Sequence, residues 1–166
     1  MDGLVQTHFS KRLDLAQAQY DSALLANPSD SLAWLLKGTL HAFKGEGALA
    51  VAGTQRALKL SPLDPHRWYY DSLAATAFLA DRQYERALKS AQLSLRGNPA
   101  HTSTLRAIAI AELHLGRPDR ARDAVRELLN LDPHLTVARW RELSPSAPFE
   151  IGREWAEALR QAGLPA

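Results

Sequence analysis

The chain has 166 residues and no cysteine. That excludes disulfides, thiolate metal sites, iron–sulfur clusters and cysteine nucleophiles together. No apolar run reaches the length of a membrane span. The stretch from Met1 to Tyr20 carries Asp2, Lys11, Arg12 and Asp14 and no apolar block, so it reads as neither a signal peptide nor an anchor. Charge of one sign is not in excess: 20 Lys plus Arg stand against 18 Asp plus Glu, for a net charge of +2. A nucleic-acid footprint needs a stripe of positive charge on one face, and no basic cluster supplies one. Catalytic loops are missing as well. There is no nucleophile elbow, phosphate loop or dinucleotide fingerprint. Glu46 between Gly45 and Gly47 is a turn, because no Lys-Ser or Lys-Thr follows it. The expectation is a soluble, cytoplasmic chain that is not an enzyme, uses no cofactor and contacts no membrane.

What is present is a period. Apolar residues make up 46% and charged residues 23%, a globular rather than a disordered balance. Pro28, Pro62, Pro99 and Pro133 each close an apolar run, at spacings of 34, 37 and 34 residues. A period near 34 signals an array of helix pairs in which no pair can bury its apolar face alone. The unit is clearest in residues 31–64, with Trp34, Gly38, Ala50, Ala57 and Pro62 in order. A small residue at Gly38 allows two helices to approach closely, and proline ends the unit because it cannot continue a helix. The same order recurs with Ala87 and Pro99, and again with Leu105, Ala109, Ala121, Leu128 and Pro133. At the start only Ala16, Tyr20, Ala23 and Pro28 match, half a unit.

These residues resemble the tetratricopeptide repeat, although Lys37, His41 and Thr54 stand where that repeat usually carries Leu, Tyr and Phe. The resemblance implies an all-α, right-handed solenoid of about 3.5 helix pairs with a C-terminal capping helix. Its divisions are a half repeat at 1–30, repeats at 31–64, 65–101 and 102–135, and a capping segment at 136–166. Trp68 is aligned with Trp34, so the 37-residue step reads as either a first helix about one turn longer in the 65–101 unit or a longer inter-helix loop, and the unbroken run from Trp68 to Leu79 favours the longer helix. Asp64-Pro65 and Asp132-Pro133 read as N-caps followed by proline at the first helical position, and Pro118 reads as another first-position proline. The last helix is expected from about Phe149 to Ala162, with Phe149, Ile151, Trp155, Ala158 and Leu159 on its apolar side, ending at Gly163. The half unit would leave an apolar edge at Leu13, Leu15, Tyr20 and Leu24 uncovered, open to a homodimer contact or a docked helix.

A narrower resemblance lies in the loops and the end of the chain. Leu60-Ser61-Pro62-Leu63-Asp64-Pro65, the turn from Arg82 to Ala87, Leu115-Gly116-Arg117 and the run from Leu159 to Pro165 are similar to the C-terminal repeat region of some bacterial adenylate cyclases and winged-helix transcriptional regulators. That resemblance implies a docking or regulatory module of a bacterial signalling or transcriptional system.

In such arrays the first helix of each pair lines the inner face. The candidate partner-binding residues are therefore Leu35, Thr39 and Phe43, then Tyr69, Ser72, Thr76 and Leu79, then Arg106, Ile110, Leu113 and His114, spaced by threes and fours. The set is mostly apolar with hydroxyls and one strong cation. It suits a protein or peptide partner, a helix or extended segment held by a few anchors. It does not suit a clamp for two carboxylates, since Leu35 and Thr39 occupy positions that would need cations. RNA-reading repeats, and secretion-chaperone-like repeats that shield a client's apolar segment, are the alternatives. His66, His101 and His134 follow the repeat prolines. Helices pack about 8–10 Å apart and zinc–nitrogen bonds are about 2 Å, so no metal site is expected from them.

Overall fold

The computed structural model describes residues 12–166. Among these residues there are nine α-helices and no strand. Helix α1 spans Leu13–Ala26, α2 Ser31–Lys44, α3 Gly47–Leu60, α4 Arg67–Ala80, α5 Tyr84–Gly97, α6 Thr102–His114 and α7 Pro118–Leu131. Two further helices follow, α8 at Val137–Leu143 and α9 at Glu150–Gln161. Helices α2/α3, α4/α5 and α6/α7 are the three complete pairs. The segment ahead of α1, where the first helix of the half repeat would belong, lies largely outside the described residues.

Equivalent depths in the helices hold equivalent side chains. The fourth position carries Trp34, Tyr70 and Leu105 in the first helices, and Ala50, Ala87 and Ala121 in the second. The eighth position of the first helices carries Gly38, Ala74 and Ala109, all buried. A Cβ on Gly38 would lie 2.8 Å from the Thr54 nitrogen and 2.9 Å from the Ala50 carbonyl oxygen. The α2 and α3 backbones touch there, and Thr54 is fully buried beside the contact. His41 and Lys37, which also depart from the repeat pattern, each have a polar partner: His41 Nδ1 meets Glu46 2.5 Å away, and Lys37 pairs with Asp21 at 2.5 Å.

The long step is not a long helix. Helix α4 has 14 residues, as α2 does. The extra residues lie in the connection 61–66 and in the turn 81–83. The anchor matching Trp34 is Tyr70, 4% exposed, and not Trp68. Trp68 lies two positions earlier, under Gly97 and against the His101 ring at 5.0 Å. Its size suggested the register; the burial of Tyr70 sets it. The caps also differ from expectation. Asp64 accepts from the His66 backbone nitrogen at 2.8 Å, which makes a turn ahead of α4, and His66 is the residue that precedes the helix. Asp132 ends α7. Side-chain caps come instead from Asp30, which accepts from Ala33, and Thr136, which accepts from Arg139. Pro118 does occupy the first turn of α7.

The first helices α2, α4 and α6 pack on one another in a row, while each second helix packs on the first helices beside it. That asymmetry places the inner face on α2, α4 and α6. At the N-terminal end Leu13, Tyr20 and Leu24 are 5–8% exposed, because α1 packs on α2 and Leu13 and Tyr20 join a cluster with Leu35, Leu36, Leu40 and Tyr70. The expected uncovered edge is therefore closed at those three residues, and only Leu15, at 41%, remains open.

The C-terminal segment does not simply continue the stack. Helix α9 contacts α6 and reaches back to α2. Ile151 lies against Gly45, Glu154 pairs with Arg82 at 2.8 Å, and Gly163 sits by Arg122. α9 thus crosses the turns that join the helices of successive pairs. Helix α8 and the loop 144–149 carry the chain across to it, and the Pro165 carbonyl oxygen accepts from Val137 at 2.7 Å.

Candidate functional site

The folded-back segment turns part of the inner face into a walled cleft of about 370 Å³. Its floor is Tyr69, Leu73, Thr76 and Leu79 from α4 with Arg106 and Ile110 from α6. Phe43 closes the α2 end, and Trp140, Ser144, Pro145 and Trp155 form the wall contributed by the C-terminal segment. Asp132 and His101 line the rim. Six of the sequence candidates therefore meet at one place: Phe43, Tyr69, Thr76, Leu79, Arg106 and Ile110.

The other five do not. Leu35 and Thr39 are 0% and 1% exposed, Leu35 in the cluster that holds α1 on α2 and α4, and Thr39 bonded to the Leu35 carbonyl at 2.9 Å. Ser72 is fully buried. Its oxygen accepts from Thr104 at 3.0 Å, and Thr104 is in turn 2.9 Å from Ser94. The expected hydroxyl ladder of the inner face is thus partly a bolt joining α4, α5 and α6. Leu113 and His114 lie at the far end of α6, around a second cavity shared with Arg82, Glu154, Glu157, Ala158 and Gln161 of the neighbouring turn and α9. There His114 stacks on Tyr84 with ring centroids 4.4 Å apart.

Arg106 dominates the cleft electrostatically. Its guanidinium donates to Ser103 Oγ at 2.6 Å and more weakly to Thr102 Oγ1 at 3.5 Å. Both partners are neutral. Asp132 attracts it from across the cleft without forming an ion pair. Burial pulls the Arg106 pKa down to about 10, which still leaves the group charged at neutral pH. His101 is held below its ordinary value, first by burial and then by the charge of Arg106. Its Nδ1 lies 2.8 Å from Thr104 Oγ1. Since Thr104 gives its one hydrogen to Ser72, the ring nitrogen is the donor to Thr104. The cleft therefore offers one cation, several hydroxyls, a neutral imidazole and aromatic walls. Among the described residues no group of His, Asp and Glu converges as a metal site, and no helix is long and apolar enough to cross a membrane.

The walls contributed by Trp140, Ser144 and Pro145 could not be anticipated from the repeat, since they stand after the last repeat proline. The one available signal was the tryptophan content of a segment otherwise read as a terminal cap.

Solved structures share this architecture. The structure of MamA superposes with a TM-score of 0.63 at 15% identity, covering 90% of this chain and 86% of that one. YrrB, described as a TPR protein with an unusual peptide-binding site, gives 0.59 at 21% identity, over 96% of this chain and 79% of that one. TTC0263, a thermophilic TPR protein of Thermus thermophilus, gives 0.64 at 23% identity, over 91% and 84%. No curated protein sequence matches the chain. The tetratricopeptide-repeat pattern matches residues 10–65 and 72–135, parting at the lengthened connection and the start of α4, and the chain belongs to the tetratricopeptide-repeat family.

Proposed function

We propose that this protein is a non-catalytic protein-interaction scaffold that holds an apolar anchor of a partner peptide or helix in the cleft between α4 and α6. The observation that carries this reading is the meeting of Phe43, Tyr69, Leu79 and Ile110 around one cleft beside a single cation, Arg106. Apolar walls with a few fixed polar groups suit an anchored segment better than a ligand read by charge. The peptide-binding site described for YrrB supports it by analogy of fold. Service as a docking module in a bacterial signalling or transcriptional system is the finer form of the proposal, and it rests on the wording of the loops and the chain end.

The test is capture of a partner by the wild-type protein and by Tyr69→Ala and Arg106→Glu variants, with helicity followed by circular dichroism. Both variants should lose capture and keep their helicity. Capture retained by both would move the docking surface elsewhere on the array.

A further inference from the structure

The cleft has a feature that partner docking does not require. It is walled by the protein's own C-terminal segment, so a chain lying along the first-helix row would meet Trp140, Pro145 and Trp155 within a short distance. At about 370 Å³ it falls in the range of small-ligand cavities, about 300–1,000 Å³. Its one cation, Arg106, is held in place by the Ser103 and Thr102 hydroxyls, a fixed polar point beside apolar walls of the kind small-ligand sites use.

We infer that the cleft is a binding site for a small apolar monocarboxylic acid, with the carboxylate on Arg106 and the hydrocarbon or ring body against Phe43, Leu73, Trp140 and Trp155. Among the described residues, the hydrogen-bond partners of the Arg106 cation are the hydroxyls of Ser103 and Thr102. A planar guanidinium with unused donors matches a carboxylate in two parallel hydrogen bonds. The charge count selects a single negative charge. His101 is held neutral by its surroundings, so the residues lining the cleft supply no second cation. Asp132 on the rim repels a second anionic group, which disfavours phosphates and dicarboxylates. The competing role for Arg106 is a solvent-bridged pair with Asp132 alone, and that pair would give the acid no advantage over its neutral amide.

A small acid in this place would hold the C-terminal segment against α4 and α6, because its body touches walls from both. This goes beyond the partner-docking reading. Acid binding is measured on the purified protein alone, so either proposal can fail without the other.

Isothermal titration with 3-phenylpropionate, indole-3-acetate and 4-methylpentanoate is the experiment, with the corresponding amides, phenyl phosphate and a tripeptide ending in phenylalanine as comparisons. At least one free acid should bind, and its amide and phenyl phosphate should bind about tenfold or more weakly. Arg106→Gln should cost about tenfold or more for the acid, with circular dichroism confirming the fold. If Arg106→Gln does not fold, Asp132→Asn serves in its place: it should tighten the acid and narrow the gap to phenyl phosphate. The inference is overturned by absence of binding for all three acids at about 10 mM, a concentration that detects even very weak sites. Equal binding of acid and amide also overturns it, as does an unchanged affinity in the variants. Binding of the tripeptide in preference to every free acid would assign the cleft to a chain end and overturn the small-ligand inference.

Discussion

Gly152 of α9 packs directly on the backbone of Ser146: a Cβ at Gly152 would collide with the Ser146 carbonyl oxygen. The loop around Ser146 is itself fixed, since Ser144 and Ser146 hydroxyls lie 2.8 Å apart and Phe149 donates to the Ser146 carbonyl at 2.9 Å. Gly152→Ala cannot be absorbed by a flexible side chain, and it should weaken docking of the C-terminal segment by about 1–3 kcal/mol. Native-state hydrogen exchange checks this. Protection should fall in α9 while the central helices α4 and α6 keep theirs; unchanged protection in α9 would refute the contact.

A second glycine contact reverses an ordinary rule. Alanine in place of a mid-helix glycine normally stabilises by about 0.5–1 kcal/mol. At Gly38 the new methyl would meet the Thr54 nitrogen at 2.8 Å and the Ala50 carbonyl at 2.9 Å, both backbone atoms of α3. Gly38→Ala should therefore destabilise, by about 1–3 kcal/mol. Urea denaturation gives the sign directly, and a stabilised variant would show that α2 and α3 are farther apart than described.

These contacts also show what the sequence could disclose. The Gly38 and Ala50 pairing was legible because small residues recur at the repeat spacing. The place of the added residues between Pro62 and Pro99 was not, because a large aromatic at Trp68 drew the alignment two positions away from Tyr70. Helix periodicity reports which residues are apolar, not which of two neighbouring aromatics is buried. Six of the inner-face candidates converge because they share the face of α4 and α6, with Phe43 from the end of α2. Leu35 and Ser72 lie at similar helical spacings yet face neighbouring helices, a distinction set by inter-helix angles that no single helix encodes. The course of α9 depends on contacts such as Ile151 with Gly45, residues far apart along the chain.

Thr104 is the hub of the polar bolt between α4, α5 and α6, with Ser72, Ser94 and His101 all at hydrogen-bond distance. Thr104→Val keeps the shape and removes the oxygen, leaving two buried hydroxyls short of a partner. It should cost about 1–3 kcal/mol, whereas Thr104→Ser should recover most of that. Equal stability of the valine and serine variants in thermal or urea unfolding would mean the bolt contributes packing alone.

His101 connects this bolt to the cleft and makes stability depend on pH. Burial and then the Arg106 charge hold its pKa below the ordinary 6.5. The folded protein therefore binds this proton less readily than the unfolded chain does. The associated stability is fully present above about pH 6.5 and is lost as pH falls through the lower folded value. His114, also lowered chiefly by burial, acts in the same direction. Removing the nearby cation in Arg106→Gln should raise the His101 pKa toward 6.5 without reaching it, since burial remains. Titration of the His101 ring by NMR in both proteins measures the two contributions separately. A wild-type ring titrating at or above about 6.5 would refute the downward shift, because both desolvation and a neighbouring guanidinium lower a histidine pKa.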